Sequence, residues 1–148
     1  MMENDLPKMS DAVRRGEVLS KDCPSRDVLR HVTSRWGVLV FVVLQTGTHR
    51  FSDLRRKISG VSERMLAQTL KTLEGDGFVK RVSHPVVPPH VEYSLTPLGQ
   101  EIAVQVEGLA NWIEGNFARV AAARLAAETP AETPVGNEKR RPEGRRFV

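Results

Sequence analysis

The stretch from Arg50 to Gly99 constrains this chain more than any other, because a helical stripe in it runs straight into a proline-tipped pair of β-rich segments. Ser62 stands where a helix N-cap belongs. Leu66, Leu70 and Leu73 follow at i, i+4 and i+7, which makes one core-facing line. At about 100° per residue, Arg64, Gln68, Lys71 and Gly75 fall on the opposite face, which is polar and positive. Beyond Gly77 come Phe78 to Ser83 and Val91 to Thr96, two β-rich runs separated by a loop that Pro85, Pro88 and Pro89 stiffen. The pattern predicts a mostly α fold with a small β-hairpin, a winged helix-turn-helix with a long C-terminal dimerisation helix. Such a layout offers a polar helix face to a DNA major groove, with a ribbon beside it.

The helices before this stretch follow from local signals. Cys23-Pro24 predicts the start of a first helix, since proline at the first helical position loses no hydrogen bond, and Val28, Leu29 and Val32 are its expected apolar face. Trp36 to Gln45 is apolar nearly all round and is expected to be the buried centre, ended at Gly47. A short third helix is expected from Ser52 as N-cap, with Leu54 and Ile58 inward and Gly60 as its breaker. After Thr96-Pro97, Leu98, Ile102, Val106, Leu109, Ile113, Phe117 and Val120 recur at threes and fours. That stripe exceeds what so small a core can cover, so it predicts a dimer interface, with Trp112 flanking it.

The expected organisation is a flexible N-terminal arm (1–21), a winged-helix domain (22–127) whose dimerisation helix spans about 98–127, and a disordered tail (128–148). The tail is rich in Ala, Thr, Pro, Glu and Arg and buries too little apolar surface to offset its ordering entropy. Its cluster Lys139-Arg140-Arg141, with Arg145-Arg146, is read as part of an inert tail, with nonspecific phosphate contact as the open alternative. No secretory leader opens the chain, and the apolar run Val38 to Leu44 is far shorter than the roughly 20 residues a bilayer span needs, so a cytoplasmic protein is expected. A single cysteine, Cys23, fits a reducing compartment.

The net charge of +4 permits an anionic partner without requiring one. Its distribution says more. From Arg50 to Arg81 the basic residues are Arg50, Arg55, Arg56, Lys57, Arg64, Lys71, Lys80 and Arg81, against only Asp53, Glu63, Glu74 and Asp76. No Ser–His–Asp order, phosphate-cradling glycine loop or paired catalytic carboxylates stand out, and no enzymatic activity is expected. His31, His49, His84 and His90 lack metal-ligand spacing. His84 and His90 can face each other across the hairpin, but without a nearby carboxylate or thiol they make a poor closed site, so neither metal nor cofactor is expected.

Four further pieces carry a family resemblance: Cys23-Pro24, Trp36, Arg50-Phe51-Ser52-Asp53-Leu54-Arg55, and Gly60-Val61-Ser62 through Gly77. The most specific is the ribbon, His84-Pro85-Val86-Val87-Pro88-Pro89-His90-Val91-Glu92-Tyr93-Ser94-Leu95-Thr96. From Cys23 to about Trp112 the chain resembles the HxlR family of bacterial winged-helix transcription regulators, relatives in shape of the MarR group. The resemblance implies a homodimer that represses or activates promoters by binding double-stranded DNA at a pseudo-palindromic operator, with half-sites about one helical turn apart. The chain departs from the family where Thr33-Ser34-Arg35 replaces a frequent Gly-Gly-Lys, and where His84 and His90 replace a frequent Tyr and Arg in the wing. The last change weakens the expected wing contact, because neutral imidazole is a poor phosphate ligand.

The expected groove-facing set is Ser62, Arg64, Gln68 and Lys71. Arg pairs with guanine O6 and N7 and Gln with adenine N6 and N7, whereas Ser62 and Lys71 suit phosphates. Arg50, Arg55 and Lys80 or Arg81, with His90 in the wing, complete the DNA-binding expectation. Cys23 sits at a helix N-terminus, where the positive end of the dipole favours thiolate, with Arg26 close in sequence. Regulators similar to this chain sense electrophiles or oxidants through a cysteine at that place, which makes Cys23 a candidate sensor. Two alternatives stay open: a regulator gated by a small ligand with Cys23 silent, and a winged helix used as a protein-interaction module.

Overall fold

The structure, a computed structural model, describes residues 19–128, in two units that meet in sequence between Asn111 and Trp112. The expectations for most of the N-terminal arm and for nearly all of the C-terminal tail, including its basic cluster, lie outside the described residues. The elements are α1 (Pro24–Val32), α2 (Arg35–Leu44), β1 (His49–Arg50), α3 (Phe51–Lys57), α4 (Glu63–Gly75), β2 (Val79–His84), β3 (His90–Leu95), α5 (Pro97–Gly115) and α6 (Phe117–Glu128).

Proline occupies the first turn of α1, as expected, and Cys23 is its N-cap residue. Val32 is buried and Val28 packs against the core, but Leu29 is 40% exposed, so the apolar face of α1 is narrower than the sequence suggests. Helix α2 supplies the centre, with Val40, Phe41 and Leu44 buried, and Ser34 caps it by accepting from Gly37 N at 3.1 Å. Phe41 meets Phe78 edge-on at 5.8 Å, which joins α2 to the start of the ribbon. Leu54 and Ile58 close the core from α3, and Leu66, Leu70 and Leu73 from α4, each at most 3% exposed. Burying each leucine contributes about 1.5–3 kcal/mol relative to exposure.

The sheet is antiparallel with order β1-β3-β2. β1 is a two-residue strand absent from the expected element list, pairing His49 with Tyr93 and Arg50 with Glu92. It also explains a correction at α3. Ser52 is not the N-cap: Arg50 holds that place with φ −77° and ψ 160°, because the ladder to β3 keeps it extended, and Ser52 falls inside the first turn.

Helix α5 docks at its N-terminal end. Thr96 Oγ1 donates to Gly77 O at 2.6 Å and accepts from Gly99 N at 2.9 Å. Gly99 lies so close to Phe78 that a Cβ there would stand 2.0 Å from the Phe78 carbonyl oxygen. The inward line of α5 within its unit is Gly99, Ala103 and Val106, with Ile102 packed against the core. Val106 and Ile102, expected in the dimer interface, therefore belong to the core of their own chain.

The expected single helix over about 98–127 is two helices. Asn116 interrupts it, its amide nitrogen Nδ2 donating to Trp112 O at 2.8 Å and its backbone N–H reaching Trp112 O at 3.0 Å. No residue of α6 is buried. Among the described residues, no helix is long and apolar enough to cross a membrane.

Candidate nucleic-acid interface

Helices α3 and α4 form the helix-turn-helix. Ile58 ends α3, Gly60 turns the chain with φ +90°, a backbone conformation that side chains with a Cβ resist, and Ser62 starts α4. The Ser62 hydroxyl oxygen accepts from Met65 N at 3.1 Å, so the cap is made as expected, and its O–H remains a donor suited to a phosphate oxygen. With Leu66, Leu70 and Leu73 inward, Arg64, Gln68 and Lys71 are all exposed on the outer face.

One groove is lined by Ala67, Lys71 and Glu74 of α4 together with Arg81 and Tyr93 of the sheet. Lys71 and Arg81 thus share the space between helix and ribbon. Lys80 does not join them, because neighbouring residues of a strand point to opposite faces. Lys80 pairs with Ser94, and Arg50 with Glu92, on the face away from buried Tyr93. Of the two alternatives the sequence left open, Arg81 stands beside α4.

Arg55 lines a second groove with Phe51, Ser52, Arg56, Val61 and Glu63, next to the helix-turn-helix corner. Arg56 is held by Asp53 at 2.8 Å. That hydrogen bond, first among the causes, holds the Asp53 carboxyl below the usual carboxylate range. Lys57 Nζ donates to His49 Nε2 at 2.9 Å, and His49 Nδ1 donates to Gly47 O at 2.8 Å. The basic run Arg55-Arg56-Lys57 is thereby sorted, with two of its members engaged within the chain.

Two residues of the outer face were not anticipated. Met65 is 42% exposed in the first turn of α4, and Thr69 Oγ1 donates back to Met65 O at 2.8 Å. An exposed thioether at this place is suited to the thymine methyl, the one apolar group of the major-groove edge. Helical arithmetic from Leu66 places Met65 beside the core stripe, and only its exposure separates it from the interior.

In the wing, His90 stands beside His84 and Glu92. Its ring stacks on His84 with centroids 4.8 Å apart, and its Nε2 lies 3.6 Å from Glu92 Oε2. His84 Nε2 lies 2.9 Å from the other oxygen, Glu92 Oε1. The carboxylate that the sequence did not place near these histidines is Glu92, and the register explains it: His84 pairs with His90, and Glu92 is two residues on, on the same face.

Cys23 is half-buried. Its N–H donates to Ser20 O at 3.1 Å and its carbonyl accepts from Arg26 N at 3.0 Å, while the Arg26 guanidinium donates to Leu19 O at 3.0 Å. At the other end of α1, His31 Nδ1 approaches Asp76 Oδ2 to 2.7 Å, and Asp76 is the C-cap of α4. The helix that begins at the cysteine is therefore tied to the end of α4.

Of the expected dimer residues, Leu98, Leu109, Trp112, Ile113 and Phe117 are exposed, between 45% and 56%. Leu109, Trp112 and Ile113 recur at i, i+3 and i+4 along α5.

Known proteins share both sequence and shape. The HxlR-like helix-turn-helix profile matches residues 31–121. The HTH-type transcriptional regulator YtfH of Escherichia coli (strain K12) is 61% identical over 116 residues, which cover 78% of this chain and 92% of that protein. A solved structure of the transcriptional regulator YtfH from Salmonella typhimurium superposes with a TM-score of 0.70 at 65% identity, over 72% of this chain and 96% of that one. The redox regulator HypR in its reduced form superposes with a TM-score of 0.61 at 33% identity, over 67% and 98%.

Proposed function

The chain belongs to the HxlR-like helix-turn-helix family and is a transcriptional regulator with a helix-turn-helix DNA-binding domain. From that premise we propose a cytoplasmic homodimer that binds a pseudo-palindromic operator, acts by binding without catalysis, and changes DNA affinity with the chemical state of Cys23. The observation that carries the DNA part is the exposed, positive outer face of α4, Arg64, Gln68 and Lys71, with Arg81 across the groove from Lys71. Arg64 and Gln68 read base edges, and Ser62, Lys71, Arg55 and Arg81 hold phosphates.

Two features support the thiol part. Cys23 occupies the N-cap of α1, where the helix dipole favours thiolate, and the far end of α1 is bonded through His31 to the C-cap of α4. HypR, a redox regulator by name, shares the fold. Two chains each losing a thiol proton and one electron to an oxidant such as diamide would join through one Cys23–Cys23 disulfide. An electrophile would instead add to the thiolate of a single chain. The dimer contact falls to the exposed side chains of α5 and α6, Leu98, Leu109, Trp112, Ile113 and Phe117.

Fluorescence anisotropy on DNA from upstream of the protein's own gene tests this, with reduced and diamide-treated protein side by side. Tight binding that weakens steeply with salt, and that changes on oxidation in the wild type only, is expected. A Cys23→Ser protein that keeps the full oxidant response overturns the thiol part. Binding that is absent at low salt, or flat with salt, overturns the operator reading.

A further inference from the structure

The geometry points to a divalent transition-metal site on the wing, formed by His84, His90 and Glu92, for an ion such as zinc. The ligand atoms, one from each residue, all lie within 4.8 Å of one another. A tetrahedral zinc ion with bonds of about 2.0–2.2 Å sets its ligand atoms roughly 3.3–3.5 Å apart, inside that spread. Two imidazoles and a carboxylate are a donor set that zinc accepts, leaving a fourth position for water.

The hairpin makes the cluster unavoidable. His84 and His90 are the last register pair before the Pro85–Pro89 loop, and Glu92 follows on the same face. A hydrogen bond from His84 to Glu92 at 2.9 Å accounts for one imidazole. It does not account for the second. His90 Nε2 turns to the same carboxylate but stops at 3.6 Å, beyond a hydrogen bond, with the two rings stacked. Both Nε2 atoms therefore converge on the two oxygens of one carboxylate, which is how a chelate presents itself. The side chains are between 20% and 37% exposed, so an ion can enter from solvent. Each imidazole would keep its proton on Nδ1 and give its Nε2 lone pair to the metal.

The other histidines of the chain are engaged elsewhere, His31 with Asp76 and His49 with Gly47 and Lys57. Arg50, the register partner of Glu92, and Lys80 share this face of the sheet and lower the site's affinity without removing a ligand. With neutral imidazoles, a bound dication turns the cluster's formal charge from negative to positive. It also pins the two strands where they enter the proline loop. The tip of the ribbon, His84 to Glu92, contains no Lys or Arg and then gains a positive charge only when metal is present.

Zinc chloride is titrated against the full chain, without a polyhistidine tag, in competition with a chromophoric chelator. No DNA is needed, so the outcome is independent of the operator reading. A single ion per chain is expected, with affinity reduced tenfold or more in His84→Gln, His90→Gln and Glu92→Gln and unchanged in Cys23→Ser. On the wild type, ring-nitrogen NMR signals of His84 and His90 are expected to move on adding zinc while those of His31 and His49 stay. That readout does not depend on any variant folding. Full affinity in the histidine variants, loss in Cys23→Ser, unmoved His84 and His90 signals, or no saturable binding in the micromolar range would each overturn the site.

Discussion

His31 Nδ1 lies 2.7 Å from Asp76 Oδ2, a half-buried bond between the last turn of α1 and the C-cap of α4. A hydrogen bond to a charged group contributes about 1.5–3 kcal/mol, and its loss leaves the carboxylate partly buried without its donor. His31→Ala is expected to lower the urea midpoint by an amount equivalent to roughly 1–3 kcal/mol with little change in slope. A variant as stable as wild type would show that the bond adds nothing. If α1 relays the state of Cys23, the same variant loses the difference between reduced and oxidised DNA affinity.

Gly99 and Gly108 sit on the same helix and should answer oppositely to alanine. At Gly99 a Cβ meets the Phe78 carbonyl at 2.0 Å, whereas at Gly108 nothing lies within 4 Å. Gly99→Ala is expected to cost about 3 kcal/mol or more through displacement of α5 from the ribbon. Gly108→Ala is expected to stabilise by up to about 1 kcal/mol, the difference in helix propensity. Thermal melts of the two proteins decide it, and equal melting points would contradict the close approach.

On α4, base readers and phosphate holders separate by experiment. Arg64→Ala and Gln68→Ala should each lose roughly 1–3 kcal/mol on the operator and little on unrelated DNA. Lys71→Ala and Arg81→Ala should weaken both DNAs alike and reduce the salt slope by about one unit each. Anisotropy at several salt concentrations reads both quantities. Equal losses on both DNAs for Arg64 would reassign it to the backbone.

Asp53 has its folded pKa depressed below 3.8 by Arg56. Its contribution to stability is therefore present above the ordinary carboxylate range and is lost as pH falls through the depressed value. The stability gap between wild type and Asp53→Asn should be widest near neutral pH and close on acidification. Carbon-detected NMR of the Asp53 carboxyl should give a midpoint below 3.8, and one at or above that value refutes the pairing.

The exposed apolar residues of α5 make a prediction about assembly. Leu109→Glu and Trp112→Glu place charge on side chains that are 51% and 56% exposed within one chain. Each should leave the melting point of the winged-helix unit nearly unchanged while sedimentation shifts from dimer to monomer. A wild type that sediments as a monomer would remove the interface.

What the sequence made legible was local. Leu66, Leu70 and Leu73 face inward and Ser62 caps α4 because helical period and a serine's hydrogen bond act over a few residues. Where the reading failed, a distant partner decided. Ser52 lost the cap to Arg50 because Arg50 is paired with Glu92, far along the chain. Glu92 reached the two histidines through strand register, which no run of residues announces. Val106 turned inward because Gly99 lets α5 press onto Phe78, a contact invisible to periodicity. The break at Asn116 left one trace, the Gly115-Asn116 pair inside an otherwise unbroken pattern.

One residue, Arg50, is at once the end of β1, paired with Glu92, and the N-cap of α3. A tilt of the ribbon therefore drags α3, and with it the corner leading into α4, rather than flexing independently. In the proposed complex, α4 and the ribbon would meet DNA as a preassembled tool, with little configurational entropy left to surrender on contact. Association should then be limited by encounter and orientation rather than by ordering of the protein.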